Sequence, residues 1–287
     1  QVLSLRVMDR FEKIRTIGRG SFGEAILVRS RRGGEEYVMK QVSLAGLSER
    51  ARKDAITEVN LLYHLRHGNI VEFVVSFIDK PLGMLCIVTE FCDLGDLHTH
   101  IQGKQSSGGL FEEDYVLSIF TQLLEAVRYI HSMNVLHRDI KGHNVFLTSS
   151  AEVKLGDFGI SKVLEETSHA KTVVGSPHFL SPELCSDENY GSKSDIWALG
   201  CLLYQLMALK HAFEGNNMGA IILKILEAAA PEPPAVYSAG LRGMVKDILQ
   251  KEPSRRPSAA ELLQYDVLRP ARASYRDRFG EAEPAPS

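Results

Sequence analysis

Gly18-Arg-Gly20-Ser-Phe-Gly23 sits between two β-like runs, and that placement constrains the fold more than any other feature of the sequence. A glycine triplet of this spacing also opens dinucleotide-binding helices, but there a helix follows at once and an acidic residue comes about twenty positions on. Here Ala25-Ile-Leu-Val leads to a Gly33-Gly34 turn and then to a run ending Tyr37-Val-Met-Lys40. Strand, glycine loop, strand lays a flexible flap over a triphosphate, because glycines let the backbone approach phosphate oxygens without side-chain clash. Lys40, seventeen residues after the last glycine, is placed to bind those phosphates. Glu58, on a helix expected over 48–65, is the candidate anion to hold Lys40, with a solvent-facing glutamate as the plainer alternative.

The first ninety residues alternate β-like runs (11–17, 25–29, 37–42, 70–77 and 84–91) with turns, interrupted by that one helix. Its Ile56, Val59, Leu62 and Tyr63 recur at spacings of three and four, so one face is apolar. From about residue 95 the pattern is helical (111–133, 195–209, 217–227, 239–250 and 259–265), with short β-like pieces at 145–147 and 153–155. An α+β fold is expected, with a small β-rich lobe over about 8–90 and a larger, mainly helical lobe over about 93–267. Residues 1–7 read as an extension, and the charged, Pro-containing 268–287 as a flexible tail.

With 44% hydrophobic residues in 287, the chain can bury a large core. A net charge of −3 argues against nucleic acid or an anionic membrane as the main partner. Cys86, Cys92, Cys185 and Cys201 show no C-x-x-C pairing, and no signal peptide is visible, so a reducing, cytoplasmic setting is expected. The most apolar stretch, 196–209, is short for a bilayer and carries Gln205, so no membrane insertion is expected.

Val135-Leu-His137-Arg138-Asp139-Ile-Lys141-Gly-His-Asn144 is the most informative block. Asp157-Phe158-Gly159 begins eighteen residues after Asp139, and Ser181-Pro182-Glu183 places its glutamate twenty-six residues after Asp157. In this order, behind the glycine loop and Lys40, these make up the protein-kinase motif set. Phosphoryl transfer needs positioning and charge neutralisation more than covalent work. Asp157 offers hard oxygens for Mg²⁺ bridging the phosphates, and Asn144 a neutral oxygen for a second ion. Asp139 can accept the proton of the incoming hydroxyl, and Lys141 can steady the γ-phosphate. ATP and Mg²⁺ are therefore the expected cofactors.

From Met8 to about Val267 the chain resembles the NIMA-related serine/threonine kinases. GSFGEAILV, EFCDLGDLHTHI, VLHRDIKGHNVFL and GSPHFLSPELC carry the resemblance, and KSDIWALGCLLYQLMALKHAFEGNNM is its most specific stretch. It implies a two-lobed fold with ATP held between the lobes, and protein serine and threonine as acceptors. It also implies nucleotide contacts from Ile17, Gly18, Arg19, Gly20, Ser21, Phe22 and Gly23, from the apolar walls Ala25, Val38 and Phe146, and from the hinge Glu90, Phe91 and Cys92. Thr89 stands where a larger methionine is usual, so an open cavity behind the adenine site is expected. Asp96 is open between a ribose contact and a helix N-cap. Asp195 and Arg256 are implied to be structural, the first beneath the catalytic loop and the second paired with Glu183. Thr172, with Ser168 second, is the expected activating phosphorylation site, within reach of Arg138 and Lys162. Ser176 and His178-Phe179 replace usual residues in the segment that docks the acceptor's neighbours. The family works in mitosis and at centrosomes, basal bodies, cilia and flagella, and the nucleus is a further expected location.

Three other classes fit the sequence less well. A catalytically dead scaffold is disfavoured because Lys40, Asp139 and Asp157 are all present, and a dinucleotide oxidoreductase because a hairpin follows the glycines. A small-molecule or lipid kinase would not need the docking segment.

Overall fold

The computed structural model describes residues 7–20, 23–45, 48–49, 52–53, 56, 59, 63–158 and 177–280. The fold is α+β, and two compact units divide between Asp93 and Leu94.

The first unit is built on an antiparallel sheet of β1 (Phe11–Gly20), β2 (Gly23–Ser30), β3 (Glu36–Ser43), β4 (Phe73–Asp79) and β5 (Met84–Glu90), in the order β1-β2-β3-β5-β4. β1 runs three residues past its apolar pattern, because backbone pairing continues into the glycine run and joins Gly20 to Gly23. Only glycine fits at 23: an added Cβ would lie 1.7 Å from the Gln41 carbonyl oxygen.

The register sets two faces, since directly paired residues share a side. Leu27, Val38 and Thr89 align across three strands, as do Ala25, Lys40 and Ile87 two residues away. The alternate residues Ile26, Val28, Met39, Cys86 and Val88 form a buried cluster on the opposite face, with Met8 and Phe11 packed against it. On the first face Val42, Phe73, Leu85 and Ile87 are buried with Val59, whose backbone is helical. Ala25, Val38, Lys40 and Thr89 on that face stay half-buried.

The second unit carries α1 (Leu97–Ser107), α2 (Glu113–Ser132), β6 (Val145–Leu147), β7 (Val153–Leu155), α3 (Pro182–Cys185), α4 (Ser192–Ala208), α5 (Met218–Glu227), α6 (Ala239–Ile248), α7 (Ala259–Leu262) and α8 (Arg269–Phe279). α4 is buried on every side from Ser194 to Met207 and is the core element: Trp197, Leu199, Leu202, Leu203 and Leu206 are 0% exposed. Fully burying each such side chain stabilises by about 1.5–3 kcal/mol. Gly200 lets α4 meet α6 closely, because a Cβ there would lie 2.4 Å from Ile248 Cγ2. Among the described residues no helix is long and apolar enough to cross a membrane.

The flexible tail expected over 268–287 is corrected for residues up to 279, which are the helix α8. Tyr275 is buried, its ring 4.8 Å from that of Phe279, and Arg278 donates to the Ala151 carbonyl at 3.2 Å. Two aromatics four residues apart make an apolar stripe that a count of charges conceals. Residues 281–287 lie outside the described set.

Candidate active site

The catalytic loop follows α2 and ends in a short 3₁₀ turn, Gly142–Asn144, which leads directly into β6. Gly142 allows this turn to lie against α1: a Cβ there would stand 3.1 Å from the His98 backbone. The turn brings three expected site residues together. Lys141 Nζ lies 2.7 Å from Asp139 Oδ2, and Asn144 Nδ2 donates to the same oxygen at 2.8 Å and to the Asp139 carbonyl at 2.7 Å. The Asn144 amide nitrogen thus holds Asp139, which leaves Oδ1 as the atom suited to a hard cation. The Asn144 carbonyl accepts from Gly156 N–H at 2.9 Å, tying the loop to the residue before Asp157. Arg138 (φ 69°) and Asp157 (φ 52°) both occupy the left-handed region that non-glycine residues seldom adopt. Such strain persists only where surrounding bonds impose it.

Those bonds come from His137 and Asp195. His137 is fully buried; its Nε2 meets the Gly156 carbonyl at 2.9 Å and its Nδ1 meets the Asp139 N–H at 3.3 Å. A carbonyl can only accept, so Nε2 carries the hydrogen and Nδ1 the lone pair, which defines a neutral imidazole. Burial lowers the His137 pKa and keeps the ring neutral, although Asp195 and the Gly156 carbonyl oppose that shift. Its face packs 4.7 Å from Phe158, so one ring spans the loop and the Asp157 segment.

Asp195, 0% exposed on α4, accepts from the His137 and Arg138 backbone amides, both at 3.0 Å, from His131 Nε2 at 2.9 Å and from the Tyr190 hydroxyl. Burial alone would raise its carboxyl, but the bond from His131, the nearby histidines and Tyr190 outweigh it and lower the pKa. His131 and Tyr190 escaped the sequence reading. His131 lies 64 residues from its partner, and no local pattern links the two.

Glu183 and Arg256 form a second buried centre. Two bonds of 2.8 Å join them, and Ser194 Oγ adds one of 2.6 Å. The other three guanidinium hydrogens go to the carbonyls of Gln250, Lys193 and Lys251 at 2.7, 2.8 and 3.0 Å. All five donors of Arg256 are therefore satisfied.

Phe146 is half-buried on β6. Backbone bonds between Leu94 and Leu147 in one direction, and Leu147 and Gly95 in the other, hold the chain after the hinge beside it. Asp96 is the N-cap of α1, accepting from Thr99 N at 2.8 Å and Thr99 Oγ1 at 3.1 Å. The N-cap, one of the two alternatives for Asp96, is formed.

In the first unit, Ala25, Val38, Lys40 and Thr89 share one sheet face, with Gly18 paired to Ala25 at its edge. Ile17 is exposed, and Arg19 binds Glu24 across the hairpin at 2.8 Å. The Glu90 N–H is committed to the Glu72 carbonyl at 2.9 Å. The expectation of hinge bonds from the backbone of Glu90 to Cys92 is compatible with this, since the Glu90 carbonyl is an acceptor in its own right. Cys92 is buried and Phe91 half-buried. Ser21, Phe22, Glu58, Lys162, Ser168, Thr172 and Ser176 lie outside the described residues, and with them the expected Lys40–Glu58 pair and the phosphorylation loop.

Among the described residues no group of three or more His, Cys, Asp or Glu side chains is arranged to hold a metal. A Mg²⁺ held by one carboxylate, one amide oxygen and nucleotide phosphates needs no such group, and Asp157 with Asn144 Oδ1 is a donor set of that kind.

The protein kinase domain family matches residues 11–268. The mouse (Mus musculus) serine/threonine-protein kinase Nek1 is 42% identical over 258 residues, 90% of this chain and 21% of the relative. A probable serine/threonine-protein kinase nek3 of Dictyostelium discoideum is 45% identical over 266 residues, 91% and 24% respectively. Mouse Nek3 is 45% identical over 265 residues, covering 92% of this chain and 50% of the relative. The chain thus spans half or less of the length of these relatives.

Proposed function

The chain belongs to the protein kinase domain family, and on that premise we propose that it transfers the γ-phosphate of ATP to serine and threonine hydroxyls of protein substrates, as a NIMA-related kinase. The observation that carries this is the Asp139 carboxylate held by Lys141 and Asn144 at 2.7 and 2.8 Å. Asp139 orients the acceptor hydroxyl and takes its proton as the new O–P bond forms and the bond from the γ-phosphorus to the bridging oxygen breaks, ADP leaving with that electron pair. Lys141 keeps positive charge beside that carboxylate and toward the phosphoryl group. On the first unit's own sheet face, Lys40 and the glycine hairpin are suited to phosphate oxygens, and Ala25 and Val38 to the flat ring of adenine. Mg²⁺, when bound at Asn144 Oδ1 and Asp157, neutralises charge on the phosphate oxygens.

Regulation by phosphate on Thr172 is part of the same proposal. Arg138 supports it, because its backbone is fixed by Asp195 and its cation starts from a defined base. Thr172→Ala should depress activity while sparing ATP binding; full activity with an unphosphorylated loop contradicts this. Action in the cell cycle, in the cytoplasm or nucleus, or at centrosome, basal body, cilium or flagellum rests on family resemblance alone, and imaging of the tagged full-length protein tests it. The catalytic proposal is tested by incubating the protein with ATP, Mg²⁺ and a peptide library, then mapping the phosphorylated residues. Phosphoserine and phosphothreonine are expected. Phosphotyrosine alone, or no transfer by protein phosphorylated on Thr172, contradicts it.

A further inference from the structure

Apart from Gly219, Lys224 and Glu227, every residue of α5 is apolar. A surface helix ordinarily turns an apolar stripe to the core and a polar face to water. The inward stripe of α5 is Ile221 and Ile225, which are buried. The opposite face carries Leu223 and Leu226, 54% and 37% exposed. At 3.6 residues per turn these two leucines point the same way, with half-buried Ile222 on one side of them and exposed Lys224 and Glu227 on the other. Single leucines scattered on a surface need no explanation, but contiguous apolar side chains rimmed by charge form an interaction face. That face is also rigid. Asn217 caps the start of α5 by accepting from the Ala220 amide at 2.9 Å, and Lys251 Nζ donates to the Ile225 carbonyl near its end. Lys251 is itself seated over the rings of Trp197 and Phe213, at 5.2 and 4.8 Å, which ties α5 to the core. A face fixed before its partner arrives has little ordering entropy left to lose.

We propose that two copies of this chain pair through this face, α5 against α5 in antiparallel sense, about a twofold axis midway between residues 224 and 225. A twofold contact has to be complementary to itself, and this face is. Leu223 of each copy sits opposite the partner's Leu226, which closes a four-leucine centre. The same rotation sets the charged side of one helix against the charged side of the other. At a rise of 1.5 Å per residue, Lys224 then stands about 3 Å along the axis from the partner's Glu227, and the pair occurs twice. Opposite signs three residues apart are matched by their own reverse, so the occupant that fits is a second copy. The pairing is independent of the catalytic reading. One helix face buries less than the roughly 1,200 Å² of a stable complex, so the dimer is weak, with a Kd on the order of 10–100 µM.

Sedimentation velocity of the 287-residue chain, from about 1 to about 300 µM, tests the pairing. A monomer–dimer equilibrium is expected. Lys224→Glu replaces both ion pairs by like charges and should raise the dimer Kd about tenfold. The double variant Lys224→Glu/Glu227→Lys restores opposite signs and should return the Kd to within about threefold of wild type. Leu223→Asp should sediment as a monomer throughout; the side chain is exposed in the single chain, and Tm measured alongside checks that the variant is folded. Should Leu223→Asp fail to fold, the two charge variants decide the matter by themselves. A wild-type monomer at every concentration overturns the proposal. Growth beyond the dimer also overturns it, since that is the mark of a head-to-tail contact. Equal dimer Kd for wild type and Lys224→Glu places the contact elsewhere, and a double variant as weak as the single one rules out the antiparallel register.

Discussion

Asp195 and Glu183 are both buried carboxylates of the second unit, yet they are satisfied in opposite ways. Glu183 faces a guanidinium whose every donor is matched, so a full charge meets a full charge. Burial raises the Glu183 carboxyl, but the Arg256 and Ser194 bonds overcome this and bring it down to about 2. Asp195 receives two backbone amides, an imidazole and a phenol. Its amide bonds end on His137 and Arg138, the two residues before Asp139. The contrast separates two uses of a buried anion. The Glu183–Arg256 pair joins distant segments and serves stability, whereas Asp195 holds the conformation of a strained loop and serves chemistry.

That separation can be broken by exchanging the effects. Arg256→Ala strands a buried carboxylate and should cost about 3–5 kcal/mol, read as a large fall in Tm. An Arg256→Ala protein with wild-type Tm would show that the pair contributes nothing. Asp195→Asn keeps the shape but turns one oxygen acceptor into a donor facing donors. A stability loss of about 1–3 kcal/mol is expected. Its kcat should fall well beyond what the unfolded fraction explains, because Arg138 loses its imposed φ. Proportionate loss of activity and folded fraction would reduce Asp195 to the same role as Glu183.

Acid titration should resolve the two regions on one axis. Burial lowers the His137 pKa from its ordinary 6.5, so its contribution is whole above that pH and is lost as pH falls below it. Glu183 contributes fully above its ordinary 4.5 and loses that contribution as pH falls toward about 2. The Tm of the wild-type protein should therefore begin to decline below pH 6.5 and decline further below 4.5. The upper limb should flatten in His137→Gln and the lower in Glu183→Gln. A single limb removed by either change would merge the two regions.

Much of this was legible in the sequence, for reasons that differ by region. The chemistry-bearing side chains cluster in short blocks such as His137–Asn144, where local turns bring Asp139, Lys141 and Asn144 together. Strands β2, β3 and β5 alternate by face, so their existence was readable from period alone. The helix α8 was missed because its two aromatics are diluted among charges. His131 and Tyr190 were missed because a buried hydrogen-bond hub is assembled by tertiary packing, not by spacing.

Phosphoryl transfer by Asp139→Asn, measured beside wild type, bears most directly on the central claim. The comparison uses protein phosphorylated on Thr172, a serine peptide and ATP with Mg²⁺, alongside the ATP dissociation constant. Losing a positioned general base is expected to lower kcat by about 10²–10⁴-fold, with ATP affinity within about threefold of wild type. Equal turnover by the two proteins would contradict the assignment of Asp139, and with it the chemistry proposed for this site.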